Sequence, residues 1–234
     1  MHPSPTASHP DRDLRQRGLV PPGPLADCHA AVIGVGAIGR QVALQLAAVG
    51  VPRLTLYDDD RVAVENLAVQ GYWPRDLGVA KVVATEALCR QINPEVRVAA
   101  VAKRFKRTTA THLLGPGRLV AFACVDRIAV RRLLWESLRS RAALFVDGRM
   151  SAEVVRVLAV DSPAIDDYYA TTLFEAGQAY AGPCTARSTI YAASIAAGLM
   201  VGQMAKWLRR LPVEADMTLN LLAMELVAAP PVPA

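Results

Sequence analysis

The most constraining feature of the chain is the run Gly34-Val35-Gly36-Ala37-Ile38-Gly39, set directly between an apolar stretch and a helical pattern. Ala30 to Gly34 is short and apolar enough for a buried strand, and Arg40 to Val49 has helical spacing that Gly50 and Pro52 stop. Glycine is needed in such a turn for its tight geometry and for close approach of the backbone to phosphate. The free N–H groups and the positive end of the following helix then favour an anion. A second apolar run, Arg53 to Tyr57, ends at Asp58, roughly twenty residues on, where a carboxylate accepts from ribose hydroxyls. Gly34, Gly36, Gly39 and Asp58 together predict a bound adenosine nucleotide without separating NAD from ATP.

The alternation continues downstream. Gly78 to Ile92 places Val79, Val82, Val83, Leu88 and Ile92 on one helical face, ended by Asn93-Pro94. Strands are expected over 96–101, 119–125, 143–146, 153–160 and 217–226, with a helix from Asp126 to Arg139. This order predicts a doubly wound, mostly parallel α/β sheet with helices on both faces, followed by C-terminal strands and a long final helix. A chain of 234 residues suits one such domain over 27–227. A proline-rich irregular arm over 1–26 precedes it, and an Ala/Pro tail over 228–234 comes after it. Asp166 to Ala176 is expected to be a flexible connection.

The net charge of +5 is compatible with an anionic ligand. The basic run Lys103 to Arg107 reads as a solvated edge or loop, and neither it nor Arg131-Arg132 by itself argues for nucleic acid. Cys28, Cys89, Cys124 and Cys184 form no C-x-x-C pair. With no N-terminal apolar segment, that usage predicts a cytoplasmic protein in a reducing compartment. Ile190 to Trp207 is long and apolar, but Ser194, Gln203 and Lys206 point to a buried helix rather than a membrane span.

The segment beyond the second strand separates the two nucleotides. Asp58-Asp59-Asp60-Arg61-Val62-Ala63-Val64-Glu65-Asn66-Leu67 resembles the D-x-D-x-V-x-x-x-N-L signature of the ThiF/MoeB and ubiquitin-activating superfamily. Asp76-Leu77-Gly78 with Lys81, Ile92-Asn93-Pro94, and Cys124-Val125-Asp126 with Arg131 resemble further motifs of that family, in the same order. Arg12-Asp13-Leu14-Arg15-Gln16 is similar to its N-terminal R-Y-x-R-Q segment, whose second arginine reaches the partner subunit's nucleotide.

The resemblance implies a ThiF/MoeB-type fold and ATP-dependent adenylation of the C-terminal carboxylate of a small ubiquitin-like or sulfur-carrier protein ending in glycine. A homodimer, ATP and Mg²⁺ are implied with it. Lys81 and Arg15 would supply positive charge to the phosphates, Asp126 would be the magnesium carboxylate, Asn66 would orient phosphate or metal-bound water, and Gln70 would be a further nucleotide-binding residue. Asp58 would hold the ribose, with Asp60 supporting that turn. Outside such a set, Lys81 would read as a solvated helix residue and Asp126 as a helix N-cap.

One departure stands out: family members read N-L-x-R-Q, whereas this chain has Val69 in place of the arginine, leaving Arg61 and Arg75 as candidate substitutes. The family's paired-cysteine zinc site is also absent. Gly182-Pro183-Cys184-Thr185 resembles the neighbourhood of the family's transthiolation cysteine, and Arg187 would help to lower the thiol pKa. Val69 keeps open a degenerate nucleotide-binding or dimerisation partner that does not turn over. An NAD-dependent oxidoreductase is the other alternative, and the Asp58–Leu67 and Lys81 elements argue against it.

Overall fold

The computed structural model describes residues 11–113, 115–174 and 188–228. The elements in order are α1 (Pro22–Ala26), β1 (Cys28–Ile33), α2 (Ala37–Val49), β2 (Arg53–Tyr57), α3 (Val64–Gln70), α4 (Lys81–Ile92), β3 (Arg97–Val101), β4 (Arg118–Ala123), α5 (Ile128–Leu138), β5 (Leu144–Ser151), β6 (Val154–Val160), α6 (Pro163–Thr171), α7 (Ile190–Leu208), β7 (Asp216–Asn220) and β8 (Glu225–Ala228). Short 3₁₀ turns lie at Pro74–Asp76 and Arg107–Leu113.

One sheet of eight strands runs β3-β2-β1-β4-β5-β6-β7-β8. The pairs from β3 to β5 are parallel, and those from β5 to β8 are antiparallel. The parallel strands are near-continuous apolar runs because both faces are covered. On one face α2, α4 and α7 bury Val42, Leu46, Val82, Cys89, Ala196 and Met200 against β1, β2 and β5. On the other, α5 and α6 bury Leu134, Trp135, Leu138 and Tyr169 against Ala121 and Phe145. The doubly wound architecture with a C-terminal antiparallel extension is therefore as expected.

Strand order reverses between β1 and β4, which marks the crevice at their carboxyl ends as the place where open α/β sheets bind ligands. The predicted helix stops hold: Gly50 takes a left-handed conformation after α2 (φ +90°), and Asn93 caps α4.

Several local expectations are corrected. On α4, Val83 and Ile92 are exposed, and the buried positions are Lys81, Val82, Thr85 and Cys89. The sheet accepts a narrower stripe than the apolar pattern offers. The strand expected over 217–226 is a hairpin, because Asn220 Oδ1 accepts from the N–H groups of Leu222 and Ala223 at 3.1 and 3.2 Å and Met224 adopts a positive φ of 57°. Ala228, assigned to the tail, is the last residue of β8.

The stretch read as a flexible connection begins inside α6, where proline opens the helix and Tyr169 packs between Trp135 and Phe145. The arm read as irregular also carries structure. Pro22–Ala26 is helical with Leu25 in the core, and Gln16 Nε2 donates to Val49 O at the end of α2.

The apolar run after residue 190 is α7, packed in the core, and among the described residues no helix is long and apolar enough to cross a membrane.

Candidate functional site

The turn between β1 and α2 uses its glycines for different reasons. Gly34 has φ +87°, and a Cβ there would stand 2.6 Å from the carbonyl oxygen of Cys124, so the turn presses against the end of β4. A Cβ on Gly39 would land on the Gly34 carbonyl oxygen, so the first turn of α2 folds tightly back on β1. Gly36 differs: a Cβ would meet only the side-chain amide of Gln70, 3.9 Å away, so the space above it is open.

No side chain caps α2, and its first N–H groups have no partner in the helix. An open glycine, an uncapped helix start and a facing amide together fit an approaching phosphate.

Gly39→Ala is therefore expected to destabilise the fold by about 3 kcal/mol or more, through overpacking against backbone that cannot yield. Gly36→Ala should change stability by less than about 1 kcal/mol but fill the phosphate approach. Urea denaturation and ATP titration of the two variants check the contrast, and equal stability losses would refute it.

Asp58 sits at the end of β2, and its carboxylate is already engaged. Oδ2 accepts from Val35 N at 2.7 Å and Oδ1 from Asp60 N at 2.9 Å. Burial raises its pKa, opposed by those two bonds and by Lys81. Its observed contacts hold the glycine turn, and its remaining lone pairs are what a ribose would find.

Lys81 is 6% exposed, not solvated, and its Nζ donates to Asp60 Oδ2 at 2.8 Å. Beneath the turn the Tyr72 hydroxyl donates to Val35 O at 2.7 Å and meets Thr85 Oγ1 at 3.1 Å. Asn66 Oδ1 accepts from Ala63 N at 3.0 Å, bracing the start of α3, while its amide NH₂ has no hydrogen bond among the described residues. Gln70 Oε1 is buried with no partner.

Asp126, three residues beyond the end of β4, is exposed. It does not cap α5, whose N-cap is Arg127, and its carboxylate makes no hydrogen bond or ion pair among the described residues. The close approach of Gly34 to Cys124 brings this loop to the glycine turn. An unpaired carboxylate of this kind fits magnesium, which takes one or two protein oxygens and leaves the rest to water and phosphate. Among the described residues, Asp58, Asp59 and Asp60 are the three acids whose oxygens lie within 4.8 Å of one another. Those three are already matched by backbone N–H groups, by Arg104 and by Lys81 respectively.

Behind Asp126 lies a buried ionic cluster that sequence reasoning did not assemble. Asp147 on β5 is fully buried and pairs with Arg131 and with Arg149, whose Nε stands 2.8 Å away. It also accepts from the Tyr169 hydroxyl at 3.0 Å. Arg131 donates further to Gly148 O and to Val125 O, next to Asp126. Arg149 donates to Thr172 O and Oγ1, both at 2.9 Å. Burial lowers the Arg131 pKa to about 10, so desolvation makes the carboxylate partner matter. The legible signal was Asp147-Gly148-Arg149 inside an otherwise apolar strand pattern.

Of the remaining candidates, Arg15 lies with residues 12–16 against the carboxyl end of α2, where Arg12 Nη2 donates to Ala48 O. The 13-residue helix puts it ~20 Å from the glycine turn of its own chain. Cys184 and Arg187 lie outside the described residues. Burial pushes Cys28 up to about 11 and Cys89 and Cys124 up to about 12, so these thiols stay protonated and structural. Arg61 donates to Gly78 O at 2.8 Å and Arg75 lies over the Trp73 ring at 3.8 Å.

Comparison with known proteins matches this arrangement to one family model, that of the ThiF family, over residues 23–227. The tRNA threonylcarbamoyladenosine dehydratase of Escherichia coli is 43% identical over 77 residues, covering 32% of this chain and 29% of that protein. The molybdopterin-synthase adenylyltransferase of Salmonella typhimurium is 32% identical over 111 residues, covering 47% of this chain and 44% of that protein. The chain thus spans less than half the length of either relative. The crystal structure of E. coli MccB with MccA-N7isoASN superimposes with a TM-score of 0.73 over 94% of this chain and 72% of that one. At 14% identity, that likeness is one of fold. Since the family model runs from α1 to β8, the chain belongs to the ThiF family.

Proposed function

We propose that the chain activates the C-terminal carboxylate of a small ubiquitin-like or sulfur-carrier protein, converting carrier–COO⁻ and ATP into carrier–CO–AMP and pyrophosphate. The observation that carries this reading is the unpaired Asp126 beside an open, uncapped glycine turn. ATP supplies the adenylyl group, and magnesium would be held by Asp126.

The chain's own residues divide the remaining work. Gly36 leaves room for phosphate, and the N–H groups at the start of α2 offer it donors. Gln70 brings its side-chain amide to Gly36, Asn66 keeps the role that the resemblance gives it toward phosphate or metal-bound water, and Asp58 keeps the turn in shape. Such positioning and charge stabilisation account for most of the catalysis a reaction of this type requires. Arg15 serves the site only from a second copy of the chain, given its distance from its own turn, so this reading includes a homodimer. Cys184 would take up the activated carboxyl after adenylation.

ATP–pyrophosphate exchange with carriers ending in Gly-Gly tests the proposal. Carrier-dependent exchange that persists in Cys184→Ala supports adenylation with the cysteine downstream. ATP binding without exchange would support the degenerate partner that Val69 favours. The local 43% identity to a tRNA-modifying dehydratase favours a second reading, in which tRNA is the substrate. AMP formation stimulated by tRNA and by no carrier would replace the first reading with that one.

A further inference from the structure

The start of α2 holds a cation without an ion pair among the described residues, Asp76 acting on it only at longer range. Arg40, the residue after the last glycine of the turn, is 4% exposed and has no carboxylate within ion-pair distance among the described residues. Its Nε has no hydrogen-bond partner. The sole hydrogen bond of its side chain is a long one, from Nη1 to Gln70 O at 3.4 Å. The guanidinium otherwise lies 4.8 Å from the centre of the Tyr72 ring. Burial disfavours its charged form.

The rest of the molecule shows how this fold ordinarily treats a buried arginine: Arg131 and Arg149 are both matched to Asp147. The other cations around the turn are also engaged. Lys81 is held by Asp60, Arg104 by Asp59, and Arg61 by a carbonyl. An unpaired buried guanidinium is costly, and such groups are retained where an anion completes them.

Gln70 connects this cation to the cradle. Its backbone oxygen holds Arg40, while its side-chain amide faces Gly36. Among the described residues the buried side-chain polar atoms without a partner are Arg40 Nε and Gln70 Oε1, on two residues joined by the Nη1 to Gln70 O contact, with the Gln70 amide 3.9 Å from where a Cβ on Gly36 would stand. Gly71 makes room for this arrangement: it has φ +73°, and a Cβ there would stand 3.2 Å from Arg40 Nη1.

We propose that Arg40 binds the phosphate chain of the nucleotide, supplying from the first turn of α2 the guanidinium that position 69 lacks. The proposal rests on the nucleotide-binding reading above. It differs from a structural role in which Arg40 serves only to satisfy the carbonyl at the end of α3.

The test is calorimetric titration of the full chain with MgATP and with adenosine. Arg40→Met keeps the apolar stem and removes the charge. It is expected to weaken MgATP binding by about 10- to 100-fold, the range of a charge-assisted contact, and to leave adenosine binding unchanged. Arg40→Lys should fall between wild type and Arg40→Met, which keeps the test valid if the methionine variant folds poorly. Val69→Arg added to Arg40→Met should restore at least 10-fold of the loss. Parallel weakening of MgATP and adenosine, or unchanged MgATP affinity in a folded Arg40 variant, would overturn the proposal and leave the nucleotide site standing. Wild-type protein that binds no ATP would remove both.

Discussion

Asp126→Ala is expected to lower ATP–pyrophosphate exchange by about 10²- to 10³-fold, the scale of removing one preorganised electrostatic contact to a transition state. The same change should leave folding stability within about 0.5 kcal/mol, as for other exposed positions without partners. The two effects separate because the carboxylate makes no hydrogen bond or ion pair among the described residues. It does not cap α5, and it acts on the buried Arg131 only at longer range, where Asp147 is the paired carboxylate, so its removal breaks no hydrogen bond or ion pair among the described residues. Parallel measurement of exchange rate and urea midpoint on the purified variant checks this. Retained exchange would end the assignment of Asp126 as the magnesium carboxylate. A large stability loss would mean that the loop depends on it structurally.

Asp147→Ala should behave in the opposite way. Two arginines and a tyrosine hydroxyl converge on this fully buried carboxylate, and alanine would leave both guanidinium groups without it. Breaking a buried pair from one side costs about 3–5 kcal/mol, against a total stability of only ~5–15 kcal/mol for a typical domain. The variant should unfold at much lower urea, and Asp147→Asn, which keeps an acceptor, should recover part of the difference. A loss below about 1 kcal/mol would show that the arginines find other acceptors. The link from Arg131 to Val125 O adds a second consequence, since any slack in this cluster reaches the backbone beside Asp126.

The two residues also differ in how legible they were. Asp126 belongs to an ordered series of short motifs, and its place beyond a strand end follows from local pattern. β2 was bounded correctly from its apolar run, and the ends of α2 and α4 were marked by Gly50 and by Asn93-Pro94. Local chemistry decides such features. Asp147, Arg131, Arg149 and Tyr169 meet only when β5, α5 and α6 pack on one face of the sheet, and no fixed spacing announces them.

Lys81 illustrates the same limit. Helix spacing taken alone reads it as a surface residue and the motif series reads it as a phosphate contact, whereas the fold shows it buried with its ammonium on Asp60. Arg40 stood in plain view beside the glycine turn, but its lack of an ion pair among the described residues becomes visible only once its neighbours are placed. The hairpin between β7 and β8 escaped because Asn220 stops the strand through its side chain, within a run apolar enough to pass as continuous.

The insertion of β4 between β1 and β5 has a consequence for how the chain emerges during synthesis. β1 hydrogen-bonds to β4, whose first residue, Arg118, stands opposite Cys28. Until the ribosome has delivered residues 118–123, one edge of β1 has no neighbour, and the glycine turn cannot rest on Cys124. Non-local pairing of this kind is slow and leaves strand edges open to other chains in the meantime. A nascent chain halted before residue 118 would thus carry every glycine of the nucleotide turn and still have no site, while offering its central strand to whatever it meets first.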